Sequence, residues 1–263
     1  SPLLAENEMA NESREAVLAK LALNASYTAR FAEVFDEGLT ESTLGRALAA
    51  YQRALLSADS PFDRWYFADE RSTLMGSGSE GYPALAAQGF ALFQDKGCAS
   101  CHHINESSAL FTDGQYHNTG TGYRRAGRAL RPPSVQLAPG VFVVPTVDAE
   151  TETFTDDGRF EVTGRDADKW RYRTPGLRNV ALTGPYMHDG SIATLEGVVT
   201  FYAEGGGGDP AQDPRIRSVQ LTESDQEALV AFLRTLTSSH VDALVSDARS
   251  VTIGERTAGG QQR

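Results

Sequence analysis

Apolar positions in the first part of the chain recur at helical spacing. Ala16, Val17, Leu18, Leu21 and Leu23 form one run, with Asn11 placed to cap it. Ala29, Phe31, Val34 and Phe35 repeat the spacing, and Leu44, Ala47, Leu48, Tyr51 and Leu55 share a face behind a Thr40 cap. Ser60-Pro61 is expected to close that run, and Met75-Gly76-Ser77-Gly78-Ser79 to form a loop. Ala87, Phe90 and Phe93 then predict a helix leading into Gly97-Cys98. From about residue 105 to 165 the periodicity fades, so long loops and short hairpins are expected, with Val141-Phe142-Val143-Val144 as a short strand. Leu195, Val198, Val199 and Tyr202 restore a helix behind Thr194, and Gly205–Gly208 stops it. A last helix starts at Thr222-Glu223-Ser224-Asp225 and carries Leu229, Phe232, Leu233 and Leu236. The polar residues 239 to 263 are expected to form an extended tail. These elements make the fold class mostly α.

Composition narrows the function classes. With 24 basic and 35 acidic residues the net charge is −11, which argues against a nucleic-acid partner. No run approaches 18 consecutive apolar residues, so no membrane-spanning helix is expected.

The 2 cysteines fall together in Cys98-Ala99-Ser100-Cys101-His102. Two thiols alone exclude a four-cysteine zinc site or iron–sulfur cluster built from this chain. A redox dithiol is the rival, but the histidine directly after the second cysteine favours covalent haem c. Each thiol adds to one haem vinyl group, and His102 then serves as proximal iron ligand. Such attachment takes place outside the bacterial cytoplasm, so a periplasmic location is expected. The chain starts at Ser1 with no leader, as a processed or cut form would. Arg173 and Arg178 are candidate partners for haem propionates, with ordinary salt bridges as the alternative. Trp65 and Trp170 are candidates for relaying oxidising equivalents, with structural burial as the default.

The segment from Arg173-Thr174-Pro175-Gly176-Leu177-Arg178-Asn179 through Gly184-Pro185-Tyr186-Met187-His188-Asp189-Gly190 resembles a signature of the bacterial dihaem cytochrome c peroxidase and MauG superfamily. So do Ser60-Pro61-Phe62-Asp63-Arg64-Trp65 and the final helix ending Phe232-Leu233-Arg234-Thr235-Leu236. The resemblance runs over roughly residues 1 to 238, with 125 to 150 as an apparent insertion. It implies a distal ligand at Tyr202, where the peroxidases carry methionine, and so points to the MauG-MbnH-like branch. Met187 is the rival ligand, and a space-filling core tyrosine the plain alternative for Tyr202. The branch implies a bis-Fe(IV) state, formed with hydrogen peroxide across two haems, that oxidises Trp or Tyr residues of a partner protein.

The resemblance also implies a second haem, for which this chain has no second CxxCH. The run Pro2-Leu3-Leu4-Ala5-Glu6-Asn7-Glu8-Met9 matches the loop that follows the family's first haem domain. Glu8 then corresponds to the distal glutamate that moves protons in peroxide cleavage, against a plain reading as a solvated residue. The first haem domain is expected as a separate chain, with a one-haem variant as the alternative. A calcium ion between the haems is implied, held in part by backbone carbonyls of Thr183 and Pro185. The expected organisation is residues 1–60 completing the peroxidatic haem domain, 61–238 as the cytochrome c domain, and 239–263 as tail. Two other functions stay open: a dihaem peroxidase drawing electrons from a small redox protein, and a simple electron-transfer cytochrome c.

Overall fold

Ser13, rather than Asn11, starts the first helix. Its hydroxyl accepts from the Ala16 N–H at the head of α1 (Arg14–Ala22), while Asn11 accepts from Lys20 and donates to the Leu3 carbonyl. The computed structural model describes residues 3–4, 9–55, 57–68, 81–126, 135–138, 141–143 and 156–250. The chain divides into two units, one of residues 1–56 with 242–263 and the other of 57–241.

In the first unit α1 is followed by α2 (Ala25–Val34), capped by Asn24, and α3 (Glu41–Ala54), capped by the expected Thr40. Thr40 and Thr43 exchange side-chain and backbone hydrogen bonds in a capping box, which fixes the start of α3. The apolar face of α3 stays open, with Leu48, Tyr51 and Leu55 all exposed.

The second unit begins where the sequence pattern suggested a stop. Ser60-Pro61 opens a helix, α4 (Pro61–Tyr66), because Pro61 sits in its first turn and Ser60 pairs with Asp63 in a second capping box. Next come α5 (Ala84–Asp95), β1 (Tyr116–His117), α6 (Thr121–Ala126), β2 (Val135–Ala138), β3 (Val141–Val143), α7 (Phe160–Thr163) and β4 (Tyr172–Arg173). The unit ends with α8 (Leu195–Ala203) and α9 (Glu223–Arg234). β1 pairs antiparallel with β4, and β2 with β3, so among the described residues strand is confined to two small ladders and the fold is mostly α.

The core lies where α5 and α9 cross. Phe62, Phe90, Phe111 and Phe232 meet at ring separations of 5.2–6.1 Å, with Phe93, Leu195, Val199 and Leu236 around them. Gly89 permits the crossing, because a Cβ there would collide with the Ala228 carbonyl and come within 2.9 Å of the Phe232 Cβ. The stretch after residue 238 departs from the expected extended tail. It contains α10 (Val241–Ser250), whose Val241, Leu244 and Val245 recur at helical spacing behind Asp242 in the first turn. Met75 and Glu8 lie outside the described residues.

Candidate haem site

Gly97 turns the chain out of α5 with φ +87°, and the short helical turn Cys98–Ser100 sets the CxxCH loop against the core. Cys98, Cys101 and His102 line one cavity of about 430 Å³. Its walls come from α5 (Phe93), the Arg173–Leu177 segment, the Thr183–His188 turn, α8 (Val199 and Tyr202) and α9 (Leu229 and Leu233). A largely apolar cavity with a CxxCH on its wall fits a flat, mostly hydrophobic macrocycle.

Three observations test that fit. Burial pushes the Cys98 thiol up to about 11 and raises Cys101 too, the reverse of the lowered thiolate that a redox dithiol needs. Burial also lowers His102, so the imidazole is kept neutral, as iron ligation requires. His102 Nδ1 lies 2.7 Å from the Phe111 carbonyl, which sets the tautomer and leaves Nε2 as the nitrogen for iron. Phe111 presents that carbonyl from a left-handed backbone (φ +56°), a conformation an aromatic residue rarely takes. The residues present fit haem c.

The expected distal ligand also reaches the cavity. Tyr202 lines it, and its hydroxyl has no hydrogen bond among the described residues. Burial pushes this phenol up to about 12, and the two thiols add to the effect. Met187, the rival, lines the same cavity with φ +71°. Thr183 and Pro185 sit on its rim around a cis Gly184–Pro185 bond. No backbone N–H of the described residues bonds to either of their carbonyls.

The two arginines part company. Arg173 lines the cavity, and no ion pair engages it among the described residues, so it fits a propionate partner. Arg178 does not. It forms a bidentate pair with Asp63 at 2.6 and 2.7 Å, and its Nε donates to the Ala109 carbonyl at 2.6 Å. With those donors satisfied inside the protein and no part in the cavity wall, Arg178 is a structural anchor joining α4 to the segment before α8. Trp65 stacks on Tyr82 at 4.3 Å against the core, and Trp170 packs edge-on against Tyr123; neither lines the cavity.

Of the polar side of the cavity the sequence reading named Arg173 but missed Lys96, Arg215, Arg217 and His117. Lys96, Arg173, Arg215 and Arg217 line it, and among the described residues no Asp or Glu does. That is a local cationic wall in a chain of net charge −11. His117 also lines it, held between Asp113 and Asp213. The usable signal was Phe111-Thr112-Asp113-Gly114-Gln115-Tyr116-His117-Asn118, in which Asp and His stand four apart shortly after the CxxCH.

A mostly helical domain that sets a CxxCH loop and a half-buried tyrosine on one largely apolar cavity is a cytochrome c-type haem domain. A family model described as "Di-haem cytochrome c peroxidase" matches residues 1–71. The chain is 33% identical to the methylamine utilization protein MauG of Methylorubrum extorquens, covering 89% of this chain and 56% of that protein. It is 33% identical to cytochrome-c peroxidase IdrP1 of Denitromonas iodatirespirans, covering 94% and 63% respectively. Among solved structures it matches a MauG-like protein associated with microbial copper homeostasis, with a TM-score of 0.59 at 28% identity over 88% of this chain and 65% of that one. The chain belongs to the di-haem cytochrome c peroxidase and MauG superfamily, whose cofactor is haem c. It spans between half and two thirds of the length of these two curated relatives. No helix among the described residues is long and apolar enough to cross a membrane.

Proposed function

We propose that this chain carries the C-terminal haem of a periplasmic di-haem oxidoreductase that uses hydrogen peroxide to oxidise Trp or Tyr residues of a partner protein. Tyr202 carries the reading: a phenol with no hydrogen-bond partner among the described residues, on the wall of the cavity that His102 also lines. Haem c, when bound, would supply iron redox chemistry. Cys98 and Cys101 hold it by thioether bonds, His102 offers Nε2, and Tyr202 offers an oxygen. An anionic oxygen is a hard donor and favours ferric and higher states, whereas a thioether favours the ferrous state. Because burial pushes the Tyr202 phenol up to about 12, it holds its proton at neutral pH unless a cation stands beside it.

Residues 1–60 complete a peroxidatic domain in this reading, 61–238 form the cytochrome c domain, and the second haem sits on a partner domain outside these residues. The exposed Leu48, Tyr51 and Leu55 face of α3 supports that partner, since an apolar stripe of this kind seeks cover. Glu8 moves protons at the second haem, Arg173 pairs with a propionate, and the Thr183 and Pro185 carbonyls contribute to a calcium site. Met187 supports a second reading, a peroxidase whose haem takes a methionine ligand and whose electrons come from a small redox protein.

The haem-loaded assembly, treated with peroxide and then mixed with co-purifying proteins, tests the choice. Oxidative mass gain on Trp or Tyr of one such protein is the expected result. Fast repeated turnover with a small reduced cytochrome, and no mass gain, would instead establish the peroxidase.

A further inference from the structure

Asp113, His117, Asp213 and Arg215 form a charged cluster at the Cys101 edge of the haem cavity, its two carboxylates and imidazole largely buried and Arg215 44% exposed. His117 Nε2 lies 2.8 Å from an Asp113 carboxylate oxygen, and Nδ1 lies 2.8 Å from Asp213. Arg215 grips Asp213 through Nε at 3.0 Å and Nη2 at 2.7 Å, and Nη2 reaches His117 Nδ1 at 2.8 Å. Its Nη1 extends to the carbonyl of Ser100 inside the CxxCH at 3.4 Å, where His103 also reaches at 3.1 Å. One ligand atom each of Cys101, Asp113 and His117 lies within 4.8 Å of the others. Side chains of Asp113, His117 and Asp213 are 6–13% exposed, so solvent screens them weakly.

Two separate segments supply the cluster. Asp113 and His117 come from the loop after the CxxCH and from β1. Asp213 and Arg215 come from the loop after α8, pinned just past β1 by the Asp213 N–H donating to the Asn118 carbonyl. Capping or loop closure accounts for some of these bonds, but not for four ionisable groups linked in one string, two of them beside the Cys101 sulfur.

We propose that this cluster is an electrostatic regulator of the haem on this chain, with the Asp113 and Asp213 carboxylates favouring the oxidised iron and Arg215 opposing them. The proposal rests on the haem reading above and extends it to how the haem's potential is set. A fixed negative charge beside the macrocycle stabilises the added positive charge of ferric over ferrous iron, and a fixed cation does the reverse. Both carboxylates stay ionised across the working range. Burial alone would raise Asp113, but the Gln115 N–H and the His117 ring hold it down at about 2, and the Arg215 guanidinium holds Asp213 well below the usual carboxylate range.

Redox titration of the haem-loaded protein, followed in the haem visible bands, reads the effect directly. Asp213→Asn is expected to raise the midpoint potential and Arg215→Gln to lower it. Each shift should be about tenfold in the oxidised-to-reduced ratio at fixed potential, or about 59 mV for one electron. Arg215→Lys keeps the charge while losing the fork, so it should leave the midpoint near that of the parent. A purely structural cluster would give shifts of one sign, or none, and either result overturns the proposal. Should Asp213→Asn fail to fold, the Arg215 pair decides alone: equal shifts for Lys and Gln overturn it. Intact mass of this chain separates the two levels, since a chain without covalent haem sinks the haem reading itself.

Discussion

Replacing Arg178 by alanine removes one half of a desolvated ion pair. The Arg178 side chain is 13% exposed and that of Asp63 3%, and the two meet in a bidentate geometry at 2.6 and 2.7 Å. Truncating one partner strands the other charge in the interior, which costs about 3–5 kcal/mol. The Ala109 carbonyl also loses its guanidinium donor. For a domain of this size about 2–4 °C of melting temperature accompanies each kcal/mol, so a fall of roughly 6–20 °C is expected.

The loss should depend on pH. Burial alone would raise the Asp63 pKa, but the Arg178 and Ser60 hydrogen bonds bring it below its ordinary value. A carboxylate lowered in the folded state gives stability that is present above its unfolded pKa and lost as pH falls through the folded one. In Arg178→Ala burial stands unopposed by the guanidinium, so the carboxyl takes up a proton on acidification and part of the defect disappears. Urea unfolding of the haem-loaded protein at pH 7 and near pH 4.5 measures both effects. A cost under about 1 kcal/mol at pH 7, or a clear shift in haem potential at unchanged stability, would refute the buried-anchor assignment and restore Arg178 as a propionate partner.

Cys98→Ser with Cys101→Ser should leave a chain that haem-specific staining no longer marks after denaturing electrophoresis, and staining that persists would displace the CxxCH as attachment site. Tyr202→Phe removes the oxygen proposed as iron ligand and keeps the ring, so the haem spectrum should change clearly while melting temperature moves little; an unchanged spectrum together with a near-infrared sulfur-to-iron band would hand the position to Met187. Gly89→Ala should destabilise by about 1–3 kcal/mol, because the added methyl collides with the Ala228 carbonyl at the crossing of α5 and α9. Equal thermal stability of that variant would mean that the two helices can part without cost.

Local chemistry made the haem attachment legible in the sequence. Two thiols and an imidazole within five residues point to a bond to one macrocycle from local chemistry alone, and the Thr40, Thr194 and Thr222 caps mark helix starts through hydrogen bonds to their own next turn. Ser60-Pro61 was ambiguous for the same reason, since proline ends one helix as readily as it opens the next, and only the Asp63 side chain closing on Ser60 decides. The α10 helix was hidden because its polar residues outweigh a short apolar stripe.

Long-range pairing belongs to the tertiary structure. Arg173 and Arg178 stand five apart in one motif and look equivalent as cations, yet one faces the cavity and the other locks onto Asp63, 115 positions away. His117 meets Asp213 across 96 positions, through a loop that carries no periodic pattern. The sequence determines which groups can bind, cap or ionise, because those properties reside in the side chain and its near neighbours. Which of them are desolvated together is decided by packing, because burial and pairing are properties of the space around a residue.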